Sequence, residues 1–429
     1  MAELALAVSD LDNLYRAWRD VRANVAHTAW PHITDEMHAI DAAPLRALRE
    51  IQTALRQHTY EFSKKHGYAK RKSGGSRRGI AIHSVRDRIV QRAILDVLYT
   101  ADDKLKKPLG PLPTVLNQPR SFAGIPGKGL PQAIACIVNL IETGAHAYVY
   151  SDMKDFFPCV PREEVAGFIR ANVNDAAFAD LFERAVTTEL NNVAALGSFV
   201  ELFPGPAIGV AQGSLLSVLA GNIGLRRFDE LFNTNGLAMV RYLDDFVILA
   251  NWENIERAFA LAQEELARLG MDCYAPGDGS QKAFLGRVAD GFDFLGCRIH
   301  PSGVSPSSKN RRKFLRELKS VLAQARQEIR AFKSDGAPRR RAEQTYLQTL
   351  SLLDRKIRGW GDAYQFVTNR VTFAQTDVAI DHLLTDFRLW FTRQIGAVDA
   401  RTQRRMWGVA LLADTPPQIV GNVPKSKRA

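Results

Sequence analysis

The sequence predicts an α+β fold in which helical segments at both ends flank a centre of alternating strands and helices. Three observations carry this expectation. Near the N-terminus, Leu11, Leu14, Tyr15 and Trp18 share one helical stripe, and Leu45, Leu48, Ile51 and Leu55 share another. In the centre, Met239, Val240, Tyr242 and Leu243 lead into the adjacent carboxylates Asp244 and Asp245, and Phe246, Val247, Ile248 and Leu249 lead out. That is the pattern of two short buried strands joined by a tight turn. Beyond the turn-rich segment Pro301-Ser302-Gly303-Val304-Ser305-Pro306 the composition becomes helical again.

In chain order, residues 1–60 are expected to be packing helices. Residues 64–78 are basic and glycine-rich, with Lys64, Lys65, Lys70, Arg71, Lys72, Arg77 and Arg78 around Gly74-Gly75. They read as a hairpin loop ahead of a strand at Ile80 and Ile82. Val85, Ile89, Ala93 and Val97 give a helix over 85–100, and 101–131, rich in Pro and Gly, form an irregular connector. Residues 132–305 alternate helices and strands, with an excursion at 186–208 read only as a substrate-facing loop. Helices follow at 309–333, 341–358 and about 376–396, the last carrying Ile380, Leu383, Leu384, Phe387 and Phe391. The first two are separated by Asp335-Gly336-Ala337-Pro338. The tail 414–429 is basic and proline-containing and is expected to be flexible.

Composition narrows the function. With 429 residues and 46% hydrophobic content the chain can bury a sizeable core. Its net charge of +11 points to a polyanionic partner. Cys136, Cys159, Cys273 and Cys297 are too far apart for a zinc knuckle and suit reduced, mostly buried thiols. No cleavable signal or membrane-length apolar run is visible, so the expected location is cytoplasmic. Adjacent carboxylates on a turn between buried strands disfavour each other's ionised form. Either the pair is solvated, or a multivalent cation relieves the conflict; hard oxygens select Mg²⁺.

Several motifs, in order, resemble those of bacterial reverse transcriptases of the group II intron and retron-like lineage. Tyr242-Leu243-Asp244-Asp245 resembles the Tyr-x-Asp-Asp signature, and Tyr148-Val149-Tyr150-Ser151-Asp152-Met153-Lys154-Asp155-Phe156-Phe157-Pro158 resembles the first palm motif. Gly209 to Ile223 resembles the Pro-Gln-Gly-Ser block, with Ala211 and Val218 where proline is usual. Arg77 to Gln91 resembles a fingers motif, and Ser121-Phe122-Ala123-Gly124-Ile125-Pro126-Gly127-Lys128-Gly129 the segment that follows it. Phe294-Leu295-Gly296-Cys297 resembles the primer-grip hairpin, and Ile357-Arg358-Gly359-Trp360 with Tyr364 a thumb segment.

The resemblance implies a right-hand polymerase fold. Its parts would be an N-terminal helical segment (1–60), fingers (61–131), a palm with an antiparallel sheet (132–305), a helical thumb (306–413) and the tail. It implies RNA-directed DNA synthesis by two-metal phosphoryl transfer. Asp152, Asp244 and Asp245 would be the catalytic and metal-binding carboxylates, holding two Mg²⁺ ions or Mn²⁺ in their place; Asp155 would be structural or capping. Arg78, Phe157, Gln212 and Gly213 would meet the nucleotide, with Lys70 or Lys72, which the sequence does not separate, and Lys282. Phe157 would abut the sugar 2′ position, or else be a core phenylalanine. Tyr242, Phe294, Leu295, Gly296, Lys128 and Arg358 would contact primer or template. His66 and His83 would be structural or RNA-contacting.

The implied partners are an RNA template, dNTPs and the cDNA product, with no membrane. The length suits a stand-alone enzyme that copies an associated structured noncoding RNA, as in antiphage defence; the alternative is an intron maturase whose main role is RNA binding and splicing. Template identity, priming and oligomeric state are left open.

Overall fold

Short runs, some alternating buried and exposed residues and others buried throughout, pair into three antiparallel sheets among the described residues of this computed structural model. It describes residues 3–25, 28, 30–72, 75–99, 112–234, 237–335 and 345–414. Gly74, residues 101–111 of the expected connector, residues 336–344 and residues 415–429 of the tail lie outside these. The chain divides into two compact units, Met1–Asp290 and Gly291–Ala429.

The first unit begins with helices Glu3–Val8, Leu11–Val25, Pro31–Ala42 and Pro44–Arg56. Proline opens two of them, where a missing N–H costs no helical bond. Leu14, Trp18, Leu48, Ile51 and Leu55 are buried as the stripes require. Tyr15 and Leu45 depart from that expectation and are exposed. Tyr15 lies at the edge of its stripe, where its ring leans on Trp18 with centroids 5.2 Å apart.

Strands β1 (His66–Arg71) and β2 (Arg77–Ile82) form a hairpin, with Tyr68 opposite Ile80 and Lys70 opposite Arg78. The helix Val85–Tyr99 follows within one residue of its expected end. The central sheet comprises β3 (Ala147–Asp152), β4 (Ala238–Tyr242), β5 (Asp245–Ala250) and β6 (Ala283–Arg287), in the order β4-β5-β3-β6. Phe246, Val247, Ile248 and Leu249 are buried along β5, and the helix Trp252–Arg268 turns Ile255, Phe259 and Leu266 inward.

The 186–208 excursion is more than a substrate-facing loop. It carries the short helix Val193–Leu196 and a 3₁₀ turn, Gly197–Leu202, which brace the β1–β2 hairpin. Asn192 bonds both backbone polar groups of Gly67 in β1: Gly67 N–H donates to its Oδ1 at 2.8 Å, and its Nδ2 donates to Gly67 O at 2.9 Å. A Cβ on Gly79 would meet the Leu202 carbonyl oxygen at 2.5 Å.

The second unit holds β7 (Phe292–Phe294), β8 (Cys297–His300) and β9 (Gly303–Pro306). Helices Ser308–Asp335, Tyr346–Ala363, Val371–Ile395 and Ala400–Trp407 follow. Its core contains Phe314, Leu318, Leu322, Leu353, Ile380, Phe387 and Phe391. The expected boundary at 305/306 thus moves to 290/291. The reason is packing: Ser307 N–H donates to Gly296 O at 2.9 Å, and Asn310 Nδ2 donates to Tyr364 Oη at 2.8 Å beside the same turn.

All four cysteines are free thiols, Cys273 and Cys297 buried and the other two half-buried. No helix among the described residues is long and apolar enough to cross a membrane.

Candidate active site

Two strand ends and one turn gather the acidic residues. Antiparallel pairing of β3 with β5 sets Asp152 opposite Asp245, and Tyr242 pairs with Asp245 across the two-residue turn Leu243-Asp244. Met153 N–H donates to Asp244 O at 3.0 Å, fastening the turn to the end of β3. Residues 152 and 244–245, far apart in sequence, therefore share one end of the sheet.

Their electrostatics reflect confinement. Burial, and then the neighbouring charge of Asp244, push Asp245 up to about 7. Burial and then Asp152 raise Asp244 in the same way. Tyr150 donates its hydroxyl to Asp245 Oδ1 at 2.9 Å; burial and then Asp245 raise that phenol, so it stays a donor. Lys282 ion-pairs with Asp152 Oδ2, its ammonium 4.4 Å from the Tyr274 ring centroid.

Leu243 has φ +63° at the first turn position, a place glycine usually fills. The conformation costs about 1–2 kcal/mol for a residue with a side chain. Arg241, 1% exposed, holds it. Its guanidinium donates to Leu243 O at 2.9 Å, to both Asp229 carboxylate oxygens at 2.7 and 2.6 Å, and to Asn222 Oδ1 at 3.1 Å. The sequence reading missed this clamp. Its one local sign was a charged residue at a buried position of an apolar strand, which demands a partner.

Asp152, Asp244, Tyr274 and Lys282 line a cleft of about 360 Å³, whereas Asp245 is not among its lining residues. Lys72, Arg77, Arg78 and Gly79 of the hairpin form one wall; Asp152, Asp244 and Lys282 lie across it with Asp155, Phe157 and Gln212. Arg77 is engaged with Ala69 O at 3.0 Å and with the Phe199 ring. Arg78 has no side-chain partner among the described residues. Phe156 enters the core, whereas Phe157 is half-buried, packed partly on that core and partly on the cleft. Asp155, expected to be structural or capping, is left-handed at φ +41°, makes no side-chain cap hydrogen bond and lines the cleft.

Other expected residues lie elsewhere. Lys72 lines the cleft and Lys70 does not. Lys128 donates its ammonium to Gln118 O beside the Phe122 ring, away from the cleft lining. Tyr242, half-buried in the ladder, is likewise outside that lining. Gly213, expected to let backbone approach a nucleotide, also meets a close neighbour within the chain. At φ +121° its added Cβ would lie 2.5 Å from Ala81 O, where Ala81 N–H donates to Gln212 O at 2.9 Å. His83 is buried and held neutral, its pKa lowered to about 3 by burial and then by Lys65. His66 sits on β1, its Nδ1 3.2 Å from Asn191 Oδ1.

The remaining candidates belong to the second unit. Leu295 and Gly296, at φ +49° and +79°, form the two-residue turn after Phe294. Both central residues are left-handed, as a type I′ hairpin requires. Arg358 is exposed and pairs with Asp354 at 2.9 Å, one helical turn away. Trp360 stacks on Phe314 with centroids 4.6 Å apart, a packing role for that motif.

Among the described residues no three His, Cys, Asp or Glu groups stand as a ready-made metal site. Two of the three carboxylates are turned to Lys282 and Tyr150 instead. The donor chemistry nevertheless fits a hard divalent cation: carboxylate oxygens that raise one another's pKa have surplus negative charge to offset.

No family model matches the chain. It is 25% identical over 272 residues to Protein YkfC of Escherichia coli (strain K12), covering 53% of this chain and 64% of that protein. It is 22% identical over 195 residues to an uncharacterized 91 kDa protein in cob intron of Schizosaccharomyces pombe, covering 44% of this chain and 21% of that protein. The chain spans less than two thirds of either curated relative. Two solved structures, a Cas6-RT-Cas1--Cas2 complex and a partial form of it, each match 56% of this chain at 24% identity with a TM-score of 0.29. The matches cover 25% and 40% of those chains.

Proposed function

We propose that the chain is an RNA-directed DNA polymerase whose active site is the cleft lined by Asp152 and Asp244, with Asp245 beside it on β5. The observation that carries this reading is the β3–β5 register, which sets Asp152 opposite Asp245 with Asp244 on the adjoining turn, in the same cleft as Arg78. The first unit would supply fingers and palm, and the helices of the second unit the thumb.

Asp152, Asp244 and Asp245 would hold two Mg²⁺ ions, or Mn²⁺, which when bound offset charge on the primer hydroxyl and the triphosphate. Arg78 offers a planar fork of donors to the triphosphate oxygens, and Lys72 adds a point charge beside it. Lys282 must release Asp152 for that carboxylate to serve as a ligand, which frees its ammonium to face the leaving pyrophosphate. Phe157 and Gln212 shape the nucleotide pocket; bulk at Phe157 would exclude a ribose 2′-hydroxyl. Phe294, Leu295, Gly296 and Arg358 would contact primer and template. The template would be a structured noncoding RNA copied into cDNA, in a defence role. The intron location of the S. pombe relative favours a second reading, intron-associated RNA binding and splicing.

The test is extension of a DNA primer on an RNA template with dNTPs and Mg²⁺. Asp244→Asn should lose incorporation about a thousandfold or more, the scale on which charge-offsetting groups act in phosphoryl transfer, while retaining RNA. Wild-type chain that binds RNA but extends no primer with either Mg²⁺ or Mn²⁺ would overturn the polymerase reading and leave splicing.

A further inference from the structure

Four rings cluster where the β1–β2 hairpin meets the start of the helix Pro31–Ala42. Trp30 lies 5.1 Å from Tyr68 and 6.3 Å from His66, and His32 lies 6.0 Å from Trp30 and 6.3 Å from His66, all between ring centroids. Interplanar angles run from 60° to 76°, so the rings meet edge to face rather than covering one another. Tyr68 is 44% exposed, His32 is exposed, and Trp30 and His66 are half-buried. Trp30 rests partly on the core of the first unit, which fixes the cluster in place. Neither the Tyr68 hydroxyl nor the Trp30 indole N–H has a hydrogen-bond partner among the described residues.

Alternation along the strand puts His66, Tyr68 and Lys70 on one face, with Arg78 and Ile80 across from Lys70 and Tyr68. The opposite face, with Gly67 and Gly79, is packed against the 190–204 segment. The open face therefore runs from an aromatic patch to the cations Lys70 and Arg78, two residues or about 7 Å further along. Arg78 itself lines the cleft. An aromatic cluster with Tyr68 and His32 exposed, beside the cations Lys70 and Arg78 that have no side-chain partner among the described residues, fits a single nucleic acid strand, with its phosphates on the cations and an unpaired base on the rings.

We infer that Trp30, His32, His66 and Tyr68 form a stacking platform for an unpaired base of the template strand, outside the nucleotide cleft. The strand's identity as template rests on the polymerase reading; the stacking does not.

The test compares binding of the full chain to fluorescein-labelled single-stranded oligouridylate and to an abasic sugar-phosphate strand of equal length, by anisotropy at several salt concentrations. Wild type should prefer the base-bearing strand by about five- to a hundredfold, the contribution of one stacked base. Tyr68→Ala combined with His32→Ala should shrink that preference while leaving the salt dependence, which counts phosphate contacts, unchanged. Tyr68→Phe should keep the preference. Equal affinity of wild type for the two strands, or no binding of either, overturns the platform. A base preference that persists in a chain unable to extend primers keeps the platform and overturns the polymerase reading. Extension without any base preference does the reverse.

Discussion

Arg241 shows how one side chain can govern a turn it does not belong to. Its guanidinium satisfies Asp229, Asn222 and the carbonyl of left-handed Leu243 at once, and both charges of the pair are essentially without solvent. A buried pair adds little net stability, but breaking it leaves a charge with no partner. Arg241→Met should therefore cost about 3–5 kcal/mol in chemical denaturation. Arg241→Lys should recover little, because an ammonium lacks the fork that reaches all three acceptors. Removing both charges, with Arg241→Met and Asp229→Leu, should restore much of the stability yet leave the proposed primer extension low, since Leu243 is still unclamped. A single Arg241→Met variant as stable as wild type would remove the clamp from the account. At this scale the carboxylates were legible because their meaning is local: two acids interrupting an apolar run. Arg241 was not read as a clamp, because its partner lies in the preceding helix, twelve residues away.

At the scale of elements, periodicity locates what each segment buries but not what it leans on. The helix Val85–Tyr99 and the β4–β5 hairpin stand where alternation and spacing put them. The 186–208 excursion carried no periodic pattern, because its work is done through single residues such as Asn192 and Leu202 against a hairpin more than a hundred positions earlier. Asn192→Ala removes two hydrogen bonds to Gly67. At about 1 kcal/mol each, their loss should lower the local opening free energy of β1 by about 2 kcal/mol while leaving the core helices protected. Amide exchange at Gly67 and Ala69 measures this directly. Exchange there at the wild-type rate would mean that the excursion merely lies beside the hairpin. The same gap in local reading explains Gly213: the neighbour that demands glycine is the Ala81 carbonyl, which no nearby sequence announces.

At the scale of the whole molecule, apolar side chains collect into separate cores, one spanning residues 4–273 and another spanning residues 314–406. The sequence reading anticipated a change of character near 305, from mixed to helical composition. It set the boundary late because Phe292–Phe294 and Cys297–His300 look like strands of the same kind as those before them. What assigns them to the second unit is the grip of Asn310 and Tyr364 on the Gly296 turn, a contact between residues up to 68 positions apart. Separate cores, with the break between compact units at 290/291, imply two partly independent units of stability. Phe387 is fully buried, stacked near Tyr346 at 5.4 Å. Phe387→Ala should cost about 3–5 kcal/mol through lost burial and the cavity left behind. Hydrogen exchange resolved by segment should show that loss along Ser308–Asp335 and Val371–Ile395, with Ile248 and its neighbours in β5 keeping wild-type protection. An equal fall in both regions would show that the chain unfolds as one body, and that the break at 290/291 separates contacts without separating stability.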